Sequence, residues 1–242
     1  MFQKEEFDVM IYVSSDLHGC SPAQFRQLLD RAGFRDEDFL FILGDVIDRG
    51  PHGTELLLWL SQQSNMQLIL GNHEAFMLSC SFLFWEVTEE NLARITQEHL
   101  QLADSWIDNG GGPTIQGFQR LKKEDPELAQ GILDYLREAP LYETLRVNGR
   151  DFVLVHSGLD NFHPERPLSD YEPAELLLVR PTLQTRYYSD ATVIFGHTPT
   201  QYLSPEHHRR ALCTESWICI DTDAASGHTP MLLRLDDLEE FY

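Results

Sequence analysis

The chain has 242 residues, 42% hydrophobic and 24% charged, with a formal net charge of −21. These are the proportions of an ordinary globular chain, and the length suits one large α/β domain. Such an acid excess argues against a nucleic-acid footprint, which needs many Lys and Arg contacts to phosphate, and no apolar run approaches the roughly 20 residues of a membrane helix.

The N-terminal stretch MFQKEEFDVMIYV lacks the basic-then-apolar order of a signal peptide. The expectation is a cytoplasmic protein with neither nucleic-acid nor membrane partners. Cys20, Cys80, Cys213 and Cys219 show no CxxC spacing and read as free thiols.

Along the chain, short apolar runs end abruptly in a polar residue. VMIYVSSD closes at Asp16, FLFILGD at Asp45, MQLILGN at Asn72, DFVLVH at His156, TVIFGH at His197 and WICID at Asp221. Such runs read as buried strands. After the first comes SPAQFRQLLDRAGF, with Ser21 as N-cap, Pro22 at the first helical position and Gln24 completing a capping box. Phe25, Leu28, Leu29 and Ala32 share one face, and Gly33 is the expected stop. GTELLLWLSQQ repeats the strand–helix–strand arrangement. Residues 75–145 read as a mostly helical insertion in a single domain spanning 1–242, broken in its middle by Gly110-Gly111-Gly112-Pro113. Phe82, Phe84 and Trp85 read as helix-core packing.

Ligands in open α/β sheets gather outside the carboxyl ends of the strands. Those ends carry Asp16, His18, Asp45, Asn72, His156 and His197, an oxygen/nitrogen set suited to first-row divalent metals. Six donors exceed what one ion needs and suggest two metals sharing a carboxylate. Two divalent ions, two aspartates and one hydroxide leave a local charge of about +1, so a phosphate can bind within an acidic protein.

SDLHG (15–19), GDVIDRG (44–50), GNHE (71–74), HSG (156–158) and GHT (196–198) together resemble the metallophosphoesterase signature of the phosphoprotein phosphatase family. The nearest likeness is to its small bacterial and bacteriophage-lambda type of serine/threonine phosphatase. WIDNGGG and ICIDT extend it from about Ile11 to Leu235. The resemblance implies a calcineurin-like β-sandwich flanked by helices, with a dinuclear site at the strand ends. It implies Asp16 and His18 on one metal, Asp45 as bridge, and Asn72, His156 and His197 on the other. It implies His73 as general acid oriented by Asp48. Arg49, with Asn72 and Arg180, would grip the phosphoryl group. The metals would be Mn²⁺ foremost, with Fe, Zn, Ni or Co as alternatives.

The activity so implied is hydrolysis of phosphoserine and phosphothreonine, with phosphotyrosine also possible, by in-line attack of a metal-bridging hydroxide. The substrates would be phosphorylated proteins or peptides. The alternative is a symmetrical diadenosine-tetraphosphate hydrolase, which shares most of these motifs, or another small-molecule phosphoesterase. Asp48 in the second motif and Glu74 in GNHE favour the phosphatase, because those hydrolases tend to lack this acid and read GNHD. A catalytically silent phosphate-binding protein would have lost a ligand or the acid pair, and none is lost.

Ser15 and Asp223 stand where the family tends to have glycine, and Asp223 is expected to alter its loop. Asp221 is left out of the ligand set as a loop support, and EHHRR (206–210) reads as a solvated turn. GHTP occurs twice, at 196–199 and 227–230. The first copy closes a strand and should deliver a ligand. The second follows DAASG and should be a turn histidine leading into a final strand, MLLRL.

Overall fold

The computed structural model describes residues 9–242, so the segment inspected for a leader lies largely outside the described residues. In chain order the elements are β1 (Ile11–Ser14), α1 (Pro22–Ala32), β2 (Phe39–Ile42), α2 (Gly53–Ser61), β3 (Met66–Leu68) and α3 (Asn72–Ser79). Four helices follow: α4 (Glu89–Ala93), α5 (Gln97–Trp106), α6 (Gly112–Glu124) and α7 (Pro126–Glu138). The second half holds β4 (Tyr142–Val147), β5 (Arg150–Val155), α8 (Pro173–Leu177), β6 (Ala191–Phe195), α9 (Thr200–Leu203), β7 (Leu212–Cys213), β8 (Trp217–Cys219), β9 (Leu232–Arg234) and β10 (Glu239–Phe241).

Two mixed five-stranded sheets result, ordered β10-β9-β1-β2-β3 and β4-β5-β6-β8-β7. In the first, β1-β2-β3 are parallel and β9 and β10 add antiparallel; in the second, β5-β6-β8 are parallel and both edge pairs are antiparallel. The sheets stack face to face, which strand alternation makes visible. Tyr12, Leu40 and Ile42 point to a core shared with the helices, whereas Val13, Phe41 and Leu43 point to a core shared with Phe152, Leu154 and Ile194. On the far side of the second sheet, Val153, Val155, Val193 and Phe195 join Tyr171, Leu176 and Trp217. Central strands are thus buried on both faces, which is why their sequences are continuous apolar runs.

Helix α1 forms as its sequence dictates. Ser21 caps it, the Gln24 side chain completes the box, Phe25, Leu28, Leu29 and Ala32 are buried, and Gly33 ends it in the left-handed conformation. Phe82 and Phe84 are buried in the helix-side core. The glycine triplet breaks the helical block as expected: Gly110 leaves the helical conformation (φ 97°) and the chain kinks there between α5 and α6. One expectation differs: MLLRL is not the last strand, since β10 follows it. Among the described residues no helix is long and apolar enough to cross a membrane.

Candidate metal centre

The strand ends of both sheets meet at one edge, and tight backbone contacts hold them there. Asp16 N–H donates to Gly44 O (3.1 Å), His18 N–H to Asp45 O (2.9 Å) and Gly196 N–H to His156 O (2.8 Å). His197 N–H donates to Asp16 Oδ2 (2.9 Å), tying the two sheets. Turning this sharply puts Asp16, His18, Asp45, Asp48, Arg49 and His197 at φ between 40° and 69°, a region that costs about 1–3 kcal/mol for a non-glycine residue. Close approach fixes Gly196, where a Cβ would lie 1.9 Å from Asp16 Oδ2. Ser15 is accommodated because its hydroxyl donates to Asp16 Oδ2 (2.6 Å).

All six ligand-type residues named from the sequence converge here, with His73. Asp45 sits between two groups of imidazoles. Its Oδ2 lies 3.7 Å from His18 Nε2 and 3.8 Å from His73 Nε2, while Oδ1 lies 3.6 Å from His156 Nε2. Asp16 Oδ1 is 3.9 Å from His18 Nε2. Two sets of side chains have the spacing to hold a metal: His18, Asp45 and His73, and Asp45, His156 and His197. The first includes His73, which the family resemblance assigns to proton donation, and the Asp48 contact below accounts for that side chain separately.

Outer contacts orient the rings. His18 Nδ1–H donates to Ile47 O (3.1 Å) and His156 Nδ1–H to Leu43 O (2.7 Å), which turns both Nε2 lone pairs inward. Asn72 Oδ1 then lies 2.8 Å from both His156 Nε2 and His197 Nδ1, themselves 3.2 Å apart. Three lone-pair atoms so close, with at most the His197 proton among them, form a donor set that a divalent cation satisfies. Burial, aided by Arg49, holds His18 well below the ordinary histidine range; burial, aided by His156 and Arg180, pushes His197 down to about 2. Both are therefore neutral, the form that ligates. Burial raises Asp45 well above the carboxylate range, with Asp16 and Glu74 adding to it against His73.

His73 goes the other way. Burial opposes its charged form, but Asp45 and the hydrogen bond to Asp48 outweigh that and raise its pKa. The contact is short, His73 Nδ1 to Asp48 Oδ2 at 2.6 Å, and the same oxygen accepts from Trp106 Nε1 (2.7 Å). Asp48 is fully buried and its Oδ1 has no hydrogen-bond partner among the described residues. A buried carboxylate so placed favours a positive charge on the adjacent imidazole. Arg49 spans the floor, with Nη1 3.0 Å from His18 Nε2 and Nη2 3.2 Å from His73 Nε2.

Trp106 and Glu74 are site supports that sequence reasoning missed in these roles. The Glu74 carboxylate accepts from the backbone N–H of Asp45 (2.8 Å), Val46 (2.8 Å), Ile47 (3.3 Å) and Gly71 (3.1 Å). WIDNGGG was the available signal for Trp106, since a Cβ at Gly111 would meet its indole at 2.6 Å and one at Gly110 would meet Arg49 Cγ at 2.8 Å.

The remaining candidates fall around this centre. Arg180 is exposed at its edge, Nη1 3.5 Å from Thr198 Oγ1. Asp221 is buried, and its Oδ1 accepts the Asp223 N–H (2.9 Å), a loop-supporting contact. Asp223 does not alter its loop as expected. It takes the left-handed conformation (φ 66°) that glycine would, stabilised by Ser226 Oγ (2.8 Å) and Gln201 Nε2 (2.9 Å). His228 joins neither metal-spaced group but lines a cleft that reaches His18.

A family model described as calcineurin-like phosphoesterase matches residues 9–201. A protein of Haemophilus ducreyi named symmetrical bis(5'-nucleosyl)-tetraphosphatase is 36% identical over 203 residues, 79% of this chain and 59% of its own length. A protein of the same name from Chromobacterium violaceum is 27% identical over 195 residues, 79% of this chain and 57% of its own. The chain thus spans less than two thirds of the length of these curated relatives. Among solved structures, one provisionally named a diadenosine tetraphosphatase aligns with a TM-score of 0.59 at 19% identity, covering 97% of this chain and 93% of the other. A serine/threonine phosphatase of Saccharomyces cerevisiae aligns at 0.57 and 15% identity, covering 97% and 80%; likenesses this remote establish the fold alone.

The relatives' names overturn the expectation of a protein phosphatase with phosphorylated protein or peptide substrates. The physical reason lies in the two residues used to prefer it. Glu74 is wholly engaged with backbone amides, and Asp48 with His73 and Trp106. Both shape the site through these contacts, and such contacts do not report what the phosphoryl group is attached to.

Proposed function

Because the chain belongs to the calcineurin-like phosphoesterase family, metal-dependent phosphoester hydrolases, we propose that it hydrolyses dinucleoside tetraphosphates symmetrically, giving two nucleoside diphosphates. What carries the reading is the pairing of this centre with relatives named for that reaction.

In this reading Asp16, His18, Asp45, Asn72, His156 and His197 hold two divalent ions, Mn²⁺ foremost. Metals bound there lower the pKa of water and polarise phosphoryl oxygens. The chain's own residues do the rest. A water oxygen, its proton released to solvent, bonds to one of the two central phosphorus atoms as the oxygen bridge between them breaks. His73, charged through Asp48, gives its Nε2 proton to the leaving diphosphate. Arg49, whose two terminal nitrogens already point between the His18 and His73 rings, presents a planar fork to phosphoryl oxygens. Asn72 and Arg180 add donors on the His197 side.

The test is chromatography of diadenosine tetraphosphate turned over by the purified, Mn²⁺-loaded protein. ADP as sole product is expected, and His73→Asn should lower kcat by about 10²–10⁴. AMP with ATP, or faster turnover of a phosphoserine peptide than of the dinucleotide, would overturn the reading.

A further inference from the structure

The second GHTP copy opens onto a feature that the centre leaves unused. Beside His18 runs a cleft of about 460 Å³, walled by α1 on one side and by the Ala224–Pro230 loop on the other. Its volume lies within the ~300–1,000 Å³ of small-molecule sites. At the metal end the lining is His18, Gly19 and Gly50, whose backbones pack so closely that a side chain on Gly50 would start 2.4 Å from His18 O. Gln24, Gln27 and Arg31 line it at i, i+3 and i+7 of α1, about 10 Å of helix at 1.5 Å per residue.

Its chemistry is opposite to that of the protein. The chain has 39 acidic residues, yet among the described residues the lining includes none of them. It offers instead Arg31, His52 and His228. His52 is held by Glu55 (3.0 Å). The side chains of Gln27, Arg31 and His228 make no hydrogen bond or ion pair among the described residues. The groove on the Asn72 side differs, being lined by Ala75, Phe76, Leu102, Leu177 and Leu178 with no charged group.

We propose that the α1 cleft binds one nucleoside diphosphate arm of the substrate, with Arg31 and His228 as its recognition residues. This rests on the dinucleotide reading and deepens it. An arm anchored at the centre by its phosphate enters past His18 and lies along α1. A lining free of carboxylates, with the Arg31 guanidinium, suits its diphosphate. The planar Arg31 guanidinium and the His228 ring supply surfaces on which a base stacks, whatever its identity. His228 is thus a substrate-side residue rather than a duplicated metal ligand.

Calorimetric titration of the Mn²⁺-loaded protein with ADP and, separately, with inorganic phosphate tests this. Arg31→Ala and His228→Ala should each weaken ADP about tenfold, ~1.4 kcal/mol, and leave phosphate affinity as in the wild type. Arg120→Ala, an exposed arginine in a different groove, should leave both ligands alone. Wild-type ADP affinity in both cleft variants, or an equal loss for phosphate, would overturn the proposal. Dinucleotide turnover by the wild type is read separately, so failure of the substrate reading is distinguishable from failure of the cleft assignment.

Discussion

Asp48 Oδ2 accepts from both His73 and Trp106, and that one oxygen decides how the histidine ring is held. Hydrogen bonds to charged groups contribute about 1.5–3 kcal/mol, so Trp106→Phe should lower kcat roughly tenfold or more with KM little changed. A Trp106 that served packing alone would lower the melting temperature and leave kcat where it was. The residue level also shows the limit of reading a sequence. Types and spacings brought Asp16, His18, Asp45, Asn72, His73, His156 and His197 together on paper, because each closes an apolar run or follows one directly. They did not reveal that the Glu74 carboxylate is taken up by four backbone amides around the site. A letter in a motif does not say which way its side chain faces, and the substrate preference drawn from Glu74 failed for that reason.

Elements were legible in proportion to their burial. The central strands, apolar on both faces, stood out; β4, β7 and β10 did not, since edge positions tolerate charged and half-exposed residues such as those of EEF in β10. The glycine triplet was legible as a break because Gly110 takes a conformation outside the helix and kinks the chain between α5 and α6. Short elements are held by side chains instead of length. Around α8, the half-buried Glu175 carboxylate accepts from Arg166 (2.7 and 2.9 Å), from Asn161 (3.1 Å) and from the Glu172 N–H (2.9 Å). The Arg166 hydrogen bond, with the others, holds its pKa down at about 2, against 4.5 ordinarily. A folded value below the unfolded one means that the stabilisation is complete above pH 4.5 and is lost as pH falls from there toward 2. The melting-temperature gap between wild type and Glu175→Gln should therefore be widest near neutral pH and narrow as pH falls below the unfolded value. A gap that stays constant would remove Glu175 from the acid response.

Across the whole molecule, the centre concentrates buried carboxylates that divalent cations would balance. Burial and the neighbouring Asp16 raise Asp221 as they raise Asp45. Metal that binds only the folded chain at about a hundred times its Kd adds ~2.7 kcal/mol, which for a chain of this length is a melting-temperature rise of roughly 5–10 °C. Adding Mn²⁺ to chelator-treated protein should produce that rise. His197→Ala should reduce both bound metal and the shift, whereas His228→Ala should match the wild type in both. An equal response in all three would remove His197 from the ligand set. The left-handed backbone at Asp16, His18, Asp48 and His197 carries a longer-range implication. Glycine fits each of those conformations without strain. A lineage released from the need for turnover would therefore gain stability by exchanging its functional side chains for glycine. In related chains, glycine at these positions would mark a centre discarded under selection for stability.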